Sequence, residues 1–169
     1  ISLADGKHSG TIYTNEQQLL KLNILQPDVY NLSTGSTNCL IKNIFTKTNQ
    51  GLVPYSEYSD YTSYSTISIP LYADEYFVLL FNDSNQSCSF NFDSEICGLA
   101  ESDVDNKINA DGFNYVYLKF KLSTGNYTCT IPNAHNYIVL NDAMESIGLI
   151  RYSNGNFEFE NSYNVVYIG

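Results

Sequence analysis

Tryptophan is absent from the 169 residues, histidine occurs twice, methionine once, and Arg151 is the single arginine. These scarcities exclude several functions. Nucleic-acid binding draws on clustered Lys and Arg, whereas 18 acids against 8 bases give this chain a net charge of −10, which repels a phosphate backbone. Anionic lipid surfaces are disfavoured for the same reason. No apolar run approaches the roughly 18–20 residues of a membrane-spanning helix, so no membrane insertion is expected. The chain opens Ile1-Ser-Leu-Ala-Asp5 without a signal peptide, and so reads as a processed domain or one excised from a longer protein.

Catalytic patterns are missing as well. His8 lies in a polar leader and His135 in the loop Pro132-Asn-Ala-His135, and both read as surface residues. No GxSxG elbow, HExxH, P-loop or GxGxxG pattern occurs. A glycosidase needs only two suitably placed carboxylates, and 18 acids always supply some pair. Sugar-stacking clefts, however, favour the tryptophan that this chain lacks. No enzymatic activity and no cofactor are expected. The acidic loop Glu101-Ser-Asp103-Val-Asp105-Asn-Lys107-Ile-Asn109-Ala-Asp111-Gly112 carries oxygen ligands near a turn glycine, as calcium requires. Lys107 takes a ligand position and no glutamate follows Gly112 at the EF-hand spacing, so a solvated loop is the expectation and no metal is assigned.

What the chain does contain is neutral polar and aromatic surface, with 15 tyrosines and 20 asparagines. Cys39, Cys88, Cys97 and Cys129 form an even set without a CxxC, which favours two disulfides in an oxidising compartment over a zinc site. Of the three possible connectivities, the expected one pairs Cys88 with Cys97 across a local hairpin and Cys39 with Cys129 across the sheets. Sequons for N-glycosylation occur at Asn31, Asn82, Asn85 and Asn126. Chance alone gives about three in a chain of this composition, so they permit a glycoprotein without requiring one.

Hydrophobic periodicity predicts strands. After a leader, residues 1 to 12, Thr14 to Gln17 resembles a capping box, but Leu20, Leu22 and Ile24 alternate and favour a strand that Pro27 ends. Cys39 to Phe45, Thr66 to Ile69 and Cys88 to Phe92 read as strands. Tyr76-Phe-Val-Leu-Leu-Phe81 is continuously apolar and reads as a strand buried on both faces. Phe113 to Leu122 is the longest alternating run. Asn154-Gly155, between Ile147–Tyr152 and Phe157–Glu160, predicts a hairpin with a type I′ turn, and Tyr163 to Ile168 a final strand. The fold class is therefore all-β: a single domain over residues 1–169, an antiparallel β-sandwich of jelly-roll or Ig/galectin-like type.

One stretch has neither strand nor helix periodicity. Tyr55, Tyr58, Tyr61 and Tyr64 recur every three residues, separated by serines, a threonine and two acids, Glu57 and Asp60. Tyrosine with serine suits binding loops, because a rigid amphipathic ring gives contact area at low entropic cost. These six residues are the candidate ligand contacts. The mix of Asn, Tyr, Ser, few bases, paired cysteines and scattered sequons is loosely similar to receptor-binding domains of viral spikes, and no motif assigns the chain to a family. The resulting expectation is a non-catalytic domain, extracellular or virion-exposed, that recognises a cell-surface protein or glycan, with homo-oligomerisation open through a parent protein. Two alternatives are a structural subunit of a filament, capsid or coat, and a secreted acidic decoy for basic proteins.

Overall fold

The computed structural model describes residues 8–56, 63–100, 117–131, 138–153 and 156–169, and every regular element among them is a β-strand. They group into two compact units, one running through Ile96 and the other beginning at Cys97.

The first unit holds eight strands. In chain order these are β1 (His8–Ile12), β2 (Gln17–Ile24), β3 (Asp28–Ser33) and β4 (Cys39–Thr48), then β5 (Gly51–Pro54), β6 (Thr66–Leu71), β7 (Asp74–Asn82) and β8 (Cys88–Ile96). One sheet has the order β1-β8-β3-β6 and the other β2-β7-β4-β5. Every neighbouring pair is antiparallel. Two four-stranded sheets interleaved in this way form a jelly roll. Leu20, Leu22, Ile41, Ile44, Val78 and Leu80 from one sheet share a single core with Leu32, Ile67, Ile69, Phe90 and Phe92 from the other.

Alternation creates that core, and one irregularity adjusts it. In β7, Tyr76, Val78 and Leu80 are buried while Phe77, Leu79 and Phe81 are half-buried. The strand therefore has one core face, not the two buried faces its apolar run predicts. In β4 the pairing with β7 slips between Ile41 and Asn43. This bulge at Lys42 lets Ile41 and Ile44, three residues apart, both face the core.

The second unit contains β9 (Leu118–Lys121), β10 (Gly125–Thr130) and β11 (Val139–Asn141), followed by β12 (Leu149–Ser153), β13 (Asn156–Asn161) and β14 (Val165–Ile168). Its two antiparallel sheets, β10-β13-β12 and β11-β14-β9, bury Phe157 and Phe159 against Val139, Val166 and Ile168. Ser153 pairs with Asn156, so the hairpin closes over two residues as Asn154-Gly155 predicts. The turn itself lies outside the described residues, as do residues 113–116 of the long alternating run.

The disulfide differs from expectation. Cys39 bonds Cys88, with Cα atoms 5.7 Å apart, while Cys97 and Cys129 carry thiols. The predicted Cys88–Cys97 bond fails on distance. β8 is one extended strand rather than a hairpin, so nine steps of roughly 3.3 Å place those two residues about 30 Å apart, far beyond the reach of a disulfide. With Cys39 bonded to Cys88, a bond from Cys39 to Cys129 is excluded. The Cys97 thiol instead contacts the Tyr117 carbonyl at 3.4 Å.

Two predictions follow from this architecture. Peptide mapping without reductant should recover a Cys39–Cys88 cross-link and two thiols. Reducing it should cost about 4 kcal/mol by loop-closure entropy, measured by urea denaturation, while Cys129→Ala, which removes a thiol without burying a hydroxyl, should cost far less. Recovery of a Cys88–Cys97 link would contradict the fold. The second concerns alkaline pH. Burial pushes the Tyr30 and Tyr76 hydroxyls above their ordinary value of 10.0. Below pH 10 folded and unfolded chains both keep these protons, so stability is unaffected. Above it the unfolded chain ionises first, and stability falls as pH rises. Tyr30→Phe should flatten that fall in alkaline urea titrations.

Candidate functional site

Antiparallel order fixes where the connections go. The β1–β2, β3–β4, β5–β6 and β7–β8 connections lie at one end of the sandwich, and the β2–β3, β4–β5 and β6–β7 turns at the other. Cys39 and Cys88 are the first residues of β4 and β8, which belong to different sheets. Their bond therefore staples the two sheets at the end where four connections meet.

The β3–β4 connection, residues 34–38, is the hub of that end. Thr34 is 0% exposed. Its amide donates to the Ser65 carbonyl at 2.9 Å, and its own carbonyl accepts the Asn91 amide at 2.8 Å. The Thr34 hydroxyl donates to the Ser36 carbonyl at 3.1 Å. Gly35 takes a φ of 62°, and a Cβ there would stand 3.1 Å from the Asn91 carbonyl oxygen. The Asp83 amide donates to the Asn38 carbonyl at 2.8 Å. The hub thus joins the return of the β5–β6 connection to the start of the β7–β8 connection.

The tyrosine stretch spans the β5–β6 connection, and its two ends are fixed. Tyr55 is 8% exposed and belongs to the core. Its hydroxyl donates to the Pro70 carbonyl at 2.9 Å, and its ring meets Tyr76 edge-on at 5.2 Å. Its amide donates to the Ile44 carbonyl. Tyr55 is therefore a structural post and not the exposed contact its spacing suggests. Tyr64 is half-buried against the same core and pairs with Ile41 through reciprocal backbone hydrogen bonds of 2.8 and 3.3 Å. Glu57, Tyr58, Asp60 and Tyr61 lie outside the described residues, as do the acidic loop 101–112 and His135. His8 begins β1 and tilts against the Phe90 ring at 5.8 Å.

A polar cleft of about 370 Å³ opens at the same end, between the β1–β2 turn and the β7–β8 connection. Asn15, Glu16 and Gln17 form one wall, Asp83, Ser84 and Asn85 the other, and Phe81 contributes the apolar surface. Both walls are held by backbone and amide bonds. Asn15 adopts a φ of 63°, and the Glu16 amide donates to the Tyr13 carbonyl at 3.0 Å. Opposite, the Asn82 side-chain amide donates to the Ile12 and Gln86 carbonyls at 3.1 and 2.6 Å. Its Oδ1 accepts the Ser84 amide and hydroxyl at 2.9 and 2.8 Å. Lys42 stands 5.5 Å from the centre of the Phe81 ring, a cation–π contact.

These contacts also sort the sequons. Asn82 is 7% exposed with both amide hydrogens used, so the folded protein has no room for a glycan on it. Asn31 is half-buried in β3, flanked by β6 and β8. Asn85 and Asn126 are exposed. The thiols are poor candidates for chemistry, since Cys97 is buried and burial pushes the Cys129 thiol above its ordinary value.

Sequence reasoning missed the cleft entirely. Its two walls lie far apart in the chain, and only the jelly-roll order brings them together. Among the described residues no three acidic, Cys or His side chains cluster to hold a metal, and no helix is long and apolar enough to cross a membrane. No protein-family model matches this chain, and no curated protein matches it.

The Asn82 clamp yields a prediction. Asn82→Ala removes the amide that the Ile12 and Gln86 carbonyls accept and the acceptor of the Ser84 amide, and should cost about 1–3 kcal/mol. Asn82→Asp should cost more, because a carboxylate would face two carbonyl oxygens. Urea midpoints for the two variants check the order; equal stability with wild type would refute the clamp.

Proposed function

We propose that this chain is a non-catalytic extracellular or virion-exposed attachment domain. It recognises a cell-surface protein or glycan at the loop end of its jelly roll. The observation that carries the reading is the fixing of the Tyr/Ser segment at both ends, by Tyr55 in the core and Tyr64 on β4. A segment whose ends are already immobilised loses less entropy on binding than a free loop, and a rigid scaffold presenting loops is a common design for recognition. With Tyr55 committed to the core, the contacts fall to Tyr58 and Tyr61, with Glu57 and Asp60 setting the charge preference. The disulfide between the sheets supports an oxidising, extracellular setting. The net charge of −10 favours neutral or basic partners over anionic ones.

The test is multivalent display of the domain on a glycan array and on a panel of cell surfaces. Wild type should bind, and Tyr58→Ala with Tyr61→Ala should abolish binding while leaving the melting temperature nearly unchanged. Binding that survives the double substitution would remove the segment from the account, and absence of any binding by the folded wild type would overturn the function.

A further inference from the structure

We propose that the polar cleft between the β1–β2 turn and the β7–β8 connection is a separate binding site for a neutral mono- or disaccharide. Its residues are distinct from the Tyr/Ser segment, so it stands whether or not that segment binds. At about 370 Å³ the cleft sits at the lower end of the range that small-molecule sites occupy, roughly 300–1,000 Å³.

The lining then selects the ligand. Asn15, Gln17 and Asn85 bring amides that both donate and accept, and Glu16 and Asp83 bring carboxylates that accept. Neighbouring hydroxyls on a sugar ring need such a mixture, because each hydroxyl donates one hydrogen bond and accepts others. Phe81 adds carbon atoms to the lining, on a ring that Lys42 already approaches from one face. Two acidic side chains line the cleft and no basic one does, Lys42 standing beyond the Phe81 ring, so phosphates, uronates and other anions are disfavoured. A divalent cation is less suited, since the cleft offers two carboxylates and no cluster of three acidic, His or Cys side chains occurs among the described residues.

The walls are already in place without a ligand. The Asn82 amide fixes the turn that carries Asp83 and Asn85 and reaches across to the Ile12 carbonyl, at the end of the strand leading into the opposite wall. The nearby disulfide holds the start of β8 against β4. A site preorganised in this way loses little affinity to ordering on binding. Weak binding to one sugar, multiplied by display of many copies, is a practical mode of surface attachment.

The test is NMR titration of the intact, isotopically labelled domain with glucose, galactose, mannose, N-acetylglucosamine and lactose at millimolar concentrations, with calcium chloride as a parallel titrant. At least one sugar should shift the amides of residues 15–17 and 81–85 in a saturable manner. Asp83→Ala with Asn85→Ala, both at exposed positions, should weaken that binding about tenfold or more while keeping a folded spectrum. Tyr58→Ala with Tyr61→Ala should leave it intact. The proposal is overturned if none of these sugars shifts those amides, if the Asp83/Asn85 variant binds as wild type does, or if calcium alone produces the shifts. Loss of cell binding in the tyrosine variant with sugar shifts retained would leave both sites standing, whereas loss of the sugar shifts in that variant would overturn the cleft as a separate site.

Discussion

The Cys39–Cys88 bond is the constraint on which the loop end depends. It joins the first residues of two strands in different sheets and encloses the chain from β4 through β7, including the whole Tyr/Ser segment. Apolar packing between two sheets is not directional. The buried covalent bond at one end, with the Asn82–Ile12 and Tyr55–Pro70 hydrogen bonds, supplies that direction. The four connections at that end then start from fixed strand termini, and the short hydrogen bonds around Thr34 and Asn38 link one connection to the next.

Asparagine makes this arrangement possible in a chain with few charges. A buried carboxylate or ammonium group is expensive unless paired, whereas an amide both donates and accepts and carries no charge. Asn82 holds the β7–β8 connection. Asn141 accepts the Ala143 and Glu145 amides at 2.9 and 3.0 Å, in a turn where Met144 takes a φ of 62°. Asn161, 0% exposed, donates to the Ser123 and Tyr163 carbonyls and accepts the Tyr163 amide. Three turns in two units thus share one device.

Much of the fold was legible from alternation. Cys39 to Phe45, Thr66 to Ile69, Cys88 to Phe92 and Phe157 to Glu160 each present an apolar face that only a strand buries, and each is a strand. β7 misled because Phe77, Leu79 and Phe81 are apolar on the face away from the core, and composition cannot say which apolar face is covered. The cysteine pairing was not legible, since it requires knowing that β4 and β8 begin at the same end. The tyrosine repeat has the look of one unit in sequence, yet its first member continues the β5 strand into the core and its last rejoins β4. The signal for Tyr55 was present: it continues the alternation from Val53. The cleft left no signal in local sequence, because its walls meet through strand order alone, with Asn82 bonded to a carbonyl 70 residues away.

The central claim is that recognition occurs at the disulfide-stapled end of the jelly roll. The most direct measurement is a hydrogen-exchange footprint of the domain bound to cell membranes bearing native surface glycans and proteins. The account predicts protection concentrated in residues 34–38, 55–65 and 83–87. Protection confined instead to the opposite turns, residues 25–27, 49–50 and 72–73, would contradict it.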